Sequence, residues 1–460
     1  MPAKKRIERD SMGPMPVPAD AYYGASTQRA VLNFPISNLR FCRSFIRALA
    51  LIKLNAADVN RDLKLLDKRT ARAIMRAARE VASGKFDNQF VVDVFQTGSG
   101  TSTNMNANEV VATRARELLG GQKSARALVH PNDHVNLGQS SNDVIPSATH
   151  IAALIEIHGA LLPALREMFD SLLGKEFDFK KVIKTGRTHL QDAMPITLGQ
   201  EFFGYAGQIE RCIARLEEAS DRLRFIALGG TAVGTGVNTH IEFASRVCAK
   251  LSGQLGFTVA ETSNHFQAQS AMDEVVQMSG VLKTLAVSLT KIANDTRWMG
   301  SGPRAGFGEI TLPEVQPGSS IMPGKVNPVI AESLLQVAAQ VFGNDATITY
   351  AGQSGVFELN MMWPVAAFNL LQSIQLLAAG VSNFTSKCLN GISATSRGPD
   401  CVANGLALVT ALVPSIGYDA AAAIAHEAAA SGETVHQVAL RRTSLSAAQL
   451  STLLDPARML

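Results

Sequence analysis

The stretch GSSIMPGKVNP, residues 318–328, guides the interpretation of the whole 460-residue chain. Its glycines and prolines are incompatible with a regular helix or strand, so it is predicted to form a loop. The loop ends at Asn327, which can cap a helix whose first position is Pro328. With Gly318 and Gly324 as hinges, the loop can carry two serines and a lysine over an anionic ligand. The alternative interpretation is an ordinary polar surface loop.

The composition argues against several classes of protein. The formal net charge is +4, no long run of Lys or Arg is present, and aromatic residues make up 6% of the chain. A nucleic-acid-binding protein would normally show a basic stripe or stacking aromatics, so no nucleic-acid partner is predicted. Charged residues make up only 18%, below the roughly 25% of an ordinary globular protein. We therefore expect a homo-oligomer that buries additional surface between its copies.

The compartment follows from the cysteines and the N-terminus. The five cysteines are scattered, odd in number and without a Cys-x-x-Cys pair, which favours reduced thiols, mostly buried. Residues 1–10 lack the apolar segment of a secretory signal. No stretch is expected to reach the ~20 apolar residues of a membrane span. A cytoplasmic protein without a membrane partner is predicted.

Apolar residues recur at helical spacing along most of the chain, which predicts a mainly α fold with a central bundle of long helices. Shorter helices are predicted over 39–61, 67–83 and 109–119, and the sequence up to about residue 35 is predicted to be extended or looped. The long helices are predicted over 142–174, 197–227, 265–298, 328–350 and 364–388, and a smaller helical module follows them, with helices over 402–412 and 419–430. These patterns predict an N-terminal domain over 1–140, a bundle domain over 141–395 and a small α-helical C-terminal domain over 396–460. Strand signals are scarce, the best being 182–184.

Three further stretches rich in small polar residues interrupt this helical pattern: 97–104 (TGSGTSTN), 138–143 (GQSSND) and 185–192 (TGRTHLQD). Hydroxyl and amide groups can hydrogen-bond the oxygens of a carboxylate without neutralising it. Each stretch alone is equally explained by helix capping, since Ser, Thr, Asn and Gly favour helix ends. Together with the loop 318–328, they could form a pocket at one end of a bundle.

Other motifs fail on inspection. The segment 318–325 lacks the spacing and the final Ser or Thr of a phosphate-binding loop. The glycine-rich segment 229–236 is not preceded by a strand, so it is interpreted as a turn between helices. Two histidines and an aspartate lie within 130–134, but Pro131 disrupts the helical spacing that a metal pair would need. Neither a metal nor another cofactor is predicted.

Taken together, the motifs resemble those of the fumarase/aspartase superfamily. The loop 318–328 matches its signature, as do 99–110 (SGTSTNMNANEV), 130–143 (HPNDHVNLGQSSND), 186–201 (GRTHLQDAMPITLGQE) and 229–240 (GGTAVGTGVNTH), all in the family's order. The resemblance covers essentially the whole chain, and so many motifs in register are very specific. It implies a homotetramer whose long helices form a 20-helix core and whose active sites each combine residues of three subunits.

Within the superfamily, the chain resembles the class II fumarate hydratases, which are metal-free. Those enzymes carry histidine where this chain has His189, and glycine where it has Gly324. The resemblance implies reversible hydration of fumarate to L-malate through an aci-carboxylate intermediate. His134 and the segment 312–316 are closer to aspartases, so the alternative is aspartate ammonia-lyase, which converts L-aspartate to fumarate and ammonia. A catalytically idle relative, like the lens crystallins of this superfamily, is a further alternative that the complete catalytic set disfavours.

The resemblance also implies roles for individual residues. Ser319 is the base that removes the proton next to a malate carboxylate, with Lys325 stabilising its oxyanion. His189, paired with Glu332, acts on the water that adds or leaves. The alternative for Glu332 is a carboxylate that favours the N-terminus of its helix. The implied substrate-binding residues are Ser99, Gly100, Thr101, Ser140, Ser141, Asn142, Thr188, Lys325 and Asn327.

A possible accessory site is implied as well. The residues His130, Pro131, Asn132 and Asp133 match a stretch that forms a second, peripheral dicarboxylate site in some relatives. The nearby basic residue, Arg126, is shifted by one position from the family's pattern, which puts that site in doubt.

Overall fold

The computed structural model describes residues 4–460 and is mainly α-helical. The chain separates into two compact units, each assembled from separate segments. The first contains 4–162, Ala214–Thr284 and Ala339–Leu377, and the second contains Pro163–Ile213, Leu285–Ala338 and Ala378–Leu460. The predicted domain division near residues 140 and 395 stays a prediction, since units built from interleaved segments do not test it.

The helices, in chain order, are α1 (Ala25–Asn33), α2 (Arg43–Asp62), α3 (Lys68–Ala82), α4 (Thr101–Leu118), α5 (Ser141–Glu156), α6 (Leu162–Phe179), α7 (Leu198–Leu223), α8 (Phe243–Leu255), α9 (His265–Ser270), α10 (Asp273–Met299), α11 (Val329–Gly352), α12 (Trp363–Lys387), α13 (Arg397–Ala403), α14 (Val413–Ile416), α15 (Tyr418–Ser431), α16 (Val435–Arg442) and α17 (Ala447–Leu453). Pro131–Val135 and Ile157–Leu161 are π-helical, and Asp87–Gln89, Leu389–Gly391, Leu406–Leu412 and Pro456–Arg458 are short 3₁₀ segments.

The strands form only two-stranded sheets in the described residues. Antiparallel pairs are β1 (Lys5–Asp10) with β2 (Gly13–Pro18), β3 (Ile183–Thr188) with β4 (Gln191–Thr197), β7 (Ile310–Thr311) with β10 (Ser393–Ala394), and β8 (Gly355–Val356) with β9 (Leu359–Asn360). The parallel pair is β5 (Phe225–Ile226) with β6 (Ala260–Glu261).

Most predicted helices are confirmed to within a few residues, and four predictions are corrected. The helix predicted over 402–412 is instead the end of α13 and the 3₁₀ segment Leu406–Leu412, because Gly405 adopts an extended conformation between them. The helix predicted over 265–298 is two helices, because Ala271 adopts an extended conformation between α9 and α10. The segment before residue 35 contains the β1–β2 hairpin and α1 rather than only loop. The polar sequence before Glu109 is helical from Thr101 onward, because its asparagines find buried hydrogen-bond partners.

Helix α2 is central to the first unit and packs against α3, α5 and α8. Its fully buried residues recur every three or four positions, which is the spacing of one helical face; they include Phe45, Leu49, Ile52, Ala56 and Val59. Helix α3 begins after Asp67, whose carboxylate accepts the amides of Arg69 and Thr70. Both helices therefore follow from apolar periodicity and capping.

The second unit contains the β3–β4 hairpin, which packs against α13. Its C-terminal helices enclose their own apolar core. The fully buried members of that core are Leu412, Val438, Ala439 and Leu450. A Cβ at Gly398 on α13 would lie 3.3 Å from the carbonyl oxygen of Ile183 on β3, which is a tight contact, so glycine favours the close packing of α13 on this strand.

Three helical stretches are long and apolar enough, by length and composition, to cross a membrane: 141–179, 273–299 and 363–391. The prediction that no stretch reaches that length is therefore wrong, because the few polar residues in these helices do not interrupt a membrane-length apolar window. Within the chain, 67% of the apolar window of the first stretch and 50% of the other two are buried. A substantial apolar surface on these helices is left uncovered by this chain alone.

All five cysteines are free thiols. Cys212, Cys248 and Cys388 are buried, in agreement with the expectation that most would be. Burial raises the pKa of Cys248 and that of Cys388 to about 12, so both thiols stay protonated and unreactive.

Candidate active site

In the first unit, three hydroxyl groups from two predicted polar stretches form a continuous row. Ser99 Oγ lies 2.7 Å from Thr101 Oγ1, which lies 2.8 Å from Ser141 Oγ. Gly100 makes this approach possible: its φ is 73°, and a Cβ there would lie 2.9 Å from the side chain of Ile145. Two of the four polar stretches, 97–104 and 138–143, thus contact each other through this row.

Helix α5 begins beside this row with a capping box. Ser140 Oγ accepts the amide of Asn142, while the Asp143 carboxylate accepts the amide of Ser140. The Asn142 side chain donates to the carbonyl oxygen of Ala232 at 2.7 Å, which attaches the helix start to the glycine-rich turn 229–236. The hydroxyl row and the start of α5 together present hydroxyl and amide donors, which suit a carboxylate ligand.

In the second unit, Thr188 and His189 lie at the tip of the β3–β4 hairpin. His189 and Leu190 form its two-residue turn with φ of 56° and 61°, a left-handed conformation that non-glycine residues adopt only at a cost. Both are exposed. Strain concentrated at the position of a predicted catalytic residue is consistent with a functional constraint on the turn.

The base of this hairpin is fixed by buried charges. Arg187 makes a bidentate ion pair with Glu309 at 2.9 and 3.1 Å, and its guanidinium lies 4.3 Å from the centre of the Phe307 ring. Lys184 lies 3.5 Å from Glu309 and 3.3 Å from Glu201. No sequence pattern indicates this network, because Glu309 is distant in sequence and belongs to no polar stretch.

The loop 318–328 is closed by its own backbone. The amide of Gly318 donates to the carbonyl oxygen of Lys325 at 3.0 Å, and the Asn327 side chain donates to the carbonyl oxygen of Gly318 at 2.8 Å. The predicted helix cap at Asn327 is therefore wrong, because its amide group closes the loop instead and α11 begins at Val329. Gly324, with φ of 79°, provides the turn inside the loop.

Ser319 is the acceptor of two backbone amides within this loop. The amides of Ile321 and Met322 donate to its Oγ at 3.3 and 3.0 Å. Donors directed at a hydroxyl oxygen stabilise negative charge that develops there. Ser319 is half-buried, whereas Lys325 is exposed on the same loop.

Glu332 lies in the first turn of α11 and is half-buried. Among the residues that the structure describes in the second unit, no hydrogen bond or ion pair joins His189 to Glu332, Ser319 or Lys325.

The residues of the possible accessory site contact one another, and the site itself stays a prediction. His130 Nδ1 accepts the amides of Asn132 and Asp133, where Pro131 starts a π-helical turn. The Arg126 guanidinium lies 2.8 Å from His130 Nε2. Burial, followed by the charge of Arg126, lowers the pKa of His130. Asn132 and Asp133 are exposed, and Asp133 Oδ2 lies 3.1 Å from His130 Nδ1. Within residues 4–460, no group of three His, Cys, Asp or Glu side chains could hold a metal ion.

Comparison with known proteins gives the class first. The family profile described as lyase matches residues 13–343, and the profile described as fumarase C C-terminus matches 408–460. The chain therefore belongs to the lyase family. Within that family its group is the class II fumarate hydratases, as the full-length relatives indicate.

A Nitrosomonas europaea protein named fumarate hydratase class II is 52% identical over 99% of this chain and 98% of its own length. The human protein named mitochondrial fumarate hydratase is 49% identical over 99% of this chain and 90% of its own. Among solved structures, the class II fumarase of Schistosoma mansoni superposes with a TM-score of 0.96 at 38% identity, covering 99% of both chains. A Brucella melitensis protein described as fumarate lyase:delta crystallin, bound to cobalt, gives 0.95 at 46% identity over 99% of both chains. The predicted family and mainly α fumarase-like fold are confirmed.

Proposed function

We propose that this chain catalyses the reversible hydration of fumarate to L-malate. The observation that carries the proposal is its similarity, over 99% of its length, to proteins named fumarate hydratases. The residues implied by the family motifs are all present, which favours an active enzyme over an idle relative.

In this proposal, Ser319 removes the proton from the carbon next to a malate carboxylate. A serine is a weak base unless its oxyanion is stabilised. The amides of Ile321 and Met322, which already donate to Ser319 Oγ, supply that stabilisation, and Lys325 adds a positive charge on the same loop. Loop closure would then bring base and charge to the substrate together.

The remaining residues bind the dicarboxylate and handle water. Thr188, Asn327 and the groups around Ser99–Thr101 and Ser140–Asn142 donate hydrogen bonds to the carboxylates. His189, oriented by Glu332, exchanges a proton with the water that adds or leaves. Because the aci-carboxylate intermediate is doubly charged, donors fixed in advance are worth more than donors that must reorganise.

We further propose a cytoplasmic homotetramer with a 20-helix core and active sites shared by three subunits. Two observations support assembly. The long helices leave large apolar side chains exposed, including Phe203, Val287 and Tyr350. In the second unit, His189 and Glu332 have no hydrogen bond to each other within the described chain, so their pairing would need another copy. The domain division at 140 and 395 belongs to the same proposal.

The test is to offer the purified protein L-malate and, separately, L-aspartate, and to follow the ultraviolet absorbance of fumarate. We expect fumarate to form from L-malate and not from L-aspartate. Fumarate from aspartate alone would instead identify an aspartate ammonia-lyase, and inactivity towards both would favour an idle relative.

A further inference from the structure

Two oppositely charged residues are completely buried behind the hydroxyl row in the first unit. Lys53 on α2 and Asp143 on α5 each have 0% of their surface exposed. Neither belongs to the residues assigned above to catalysis or substrate binding. Burial lowers the pKa of Lys53 to about 7 and raises that of Asp143 to about 6, while the two charges attract each other.

Lys53 holds the segment that leads into α5. Its Nζ donates to Asn136 Oδ1 at 2.8 Å and to Gln139 Oε1 at 2.9 Å. Gln139 directly precedes Ser140, the cap of α5. Lys53 thus holds the segment that leads directly into the start of α5.

The same asparagine connects this segment to α4. Asn136 Oδ1 also accepts the side-chain amides of Asn104 and Asn108, both at 3.2 Å. Helix α4 begins at Thr101, the middle member of the hydroxyl row. The contacts of Lys53 therefore set the position of α4 relative to the segment that precedes α5.

Asp143 fixes the other side of the α5 start. One oxygen accepts the amide of Ser140 at 2.9 Å, and the other accepts the amides of Gly229 and Thr231, both at 3.0 Å. The glycine-rich turn that contains Gly229 also accepts the side chain of Asn142. A single carboxylate thereby aligns α5 with a turn 86 residues away in sequence.

Stability alone does not account for such a pair. Removing two charges from water costs several kcal/mol per ion, and well-packed neutral residues of similar volume often give equal or greater stability. A single apolar side chain in place of Lys53 would also continue the buried face of α2. Unlike an apolar pair, Lys53 and Asp143 fix the geometry of the groups to which they are hydrogen-bonded.

We propose that Lys53 and Asp143 are positioning residues for the dicarboxylate site, holding the Ser99–Thr101–Ser141 row and the α5 start at the spacing that substrate requires. The proposal rests on the fumarate hydratase function proposed above. Both residues act through the groups that they bond, and neither contacts substrate.

The decisive experiment uses the double variant Lys53→Met with Asp143→Asn. It replaces both charges by neutral residues of similar size, so no uncompensated charge stays buried and the protein is expected to fold. We expect its apparent Tm to be at least as high as that of either single variant, because the carboxamide of Asp143→Asn leaves a buried backbone amide without its acceptor but no charge is left unpaired. We also expect the KM for L-malate to rise at least tenfold with a smaller change in kcat, because donors used in both ground and transition states are displaced. A merely structural pair would not separate stability from KM in this way.

Single variants and a matched control complete the test. Lys53→Met and Asp143→Asn are each expected to raise KM as well, with a lower Tm because one charge is left buried. Lys250→Met serves as the control. Lys250 joins α8 to α2 through an ion pair with Asp58 at 2.6 Å, and this pair does not include a residue of the hydroxyl row. The KM of this variant should be unchanged.

The outcomes separate the two proposals. An inactive unchanged protein refutes the proposed function. If the unchanged protein is active and the double variant has KM and kcat within twofold of its values, the positioning role is refuted and the proposed function stands. A double variant that loses Tm in proportion to its loss of activity also refutes it, since the pair would then be structural.

Discussion

Glu309 offers a prediction that connects the stability of the hairpin base to catalysis at its tip. The variant Glu309→Gln preserves side-chain size but leaves Arg187 and Lys184 without their shared carboxylate. The Glu309 and Lys184 side chains are 1% and 4% exposed, and Arg187 is 15% exposed. Breaking a buried ion pair by removing one partner costs roughly 3–5 kcal/mol. Because Arg187 keeps some contact with water and Lys184 keeps Glu201, we expect the lower end, about 3 kcal/mol.

The loss should also reach His189, which is two residues beyond Arg187 in the strained turn. Releasing the bidentate pair frees the strand that holds the turn, and displacing a catalytic group by about 1 Å can cost on the order of a hundredfold in rate. We expect kcat with L-malate to fall at least tenfold. Thermal unfolding should show a decrease of about 2–4 °C per kcal/mol lost, the scale for a unit of 150–250 residues.

The control is Glu427→Gln, which removes an exposed carboxylate bonded to Arg441 and Arg442 at 3.0 and 2.7 Å. Exposed ion pairs contribute little, so this variant should match the unchanged protein in Tm and kcat. If Glu309→Gln behaved like this control in both assays, the network would have no role in positioning the turn. A lower Tm with normal kcat would retain its structural role and refute the connection to His189.

Three further predictions concern Ser319, Glu109 and Glu80. Ser319→Ala should abolish turnover of malate while size-exclusion chromatography shows an unchanged assembly; near-normal activity would remove Ser319 from its role as base. Glu109→Ala should destabilise the first unit by at least about 3 kcal/mol, because each buried donor left unsatisfied costs about 1–3 kcal/mol. Several donors lose their acceptor in this variant, the amide of Gly24 among them. Denaturant unfolding that matches the unchanged protein would contradict this. The hydrogen bond from Arg114 lowers the pKa of Glu80 below its ordinary 4.5, so the stability that it contributes is present above pH 4.5 and lost as the pH falls through the lower folded value. Tm measured against pH should therefore show Arg114→Gln below the unchanged protein at neutral pH and approaching it in acid, and a constant gap would refute the assignment.

Much of the helical architecture could be predicted from sequence, because apolar periodicity is a local property. The face of α2 is visible in the spacing of Phe45, Leu49 and Ile52, and the predicted end of α4 at residue 119 is one residue from the observed end at Leu118. The sequence RALALIKLNAA also contains the only signal for Lys53: helical spacing places that lysine on the buried face. A lone charge on such a face indicates a polar partner elsewhere in the chain.

What sequence could not supply were partners distant along the chain. The start of α4 reads as a loop because Asn and Thr are weak helix formers. It is helical because Asn104 and Asn108 bond Asn136, about thirty residues away. Asn327 reads as a helix cap, yet its amide finds the carbonyl of Gly318 nine residues earlier. In both cases a hydrogen bond formed only in the folded chain prevails over a local preference.

The hydroxyl row explains why buried charges would be placed behind neutral donors rather than in contact with substrate. Ser99, Thr101 and Ser141 have three O–H groups, and the two hydrogen bonds between them use two, which leaves one proton to donate outward. A carboxylate that arrives can draw further protons from the row by rotating hydroxyls, without any heavy atom moving. A lysine in the same place would bind the substrate as strongly as it binds the doubly charged intermediate. Such uniform binding lowers KM without raising kcat. Hydroxyls whose spacing is fixed from behind instead add donors as charge develops, and that advantage disappears if their spacing is lost.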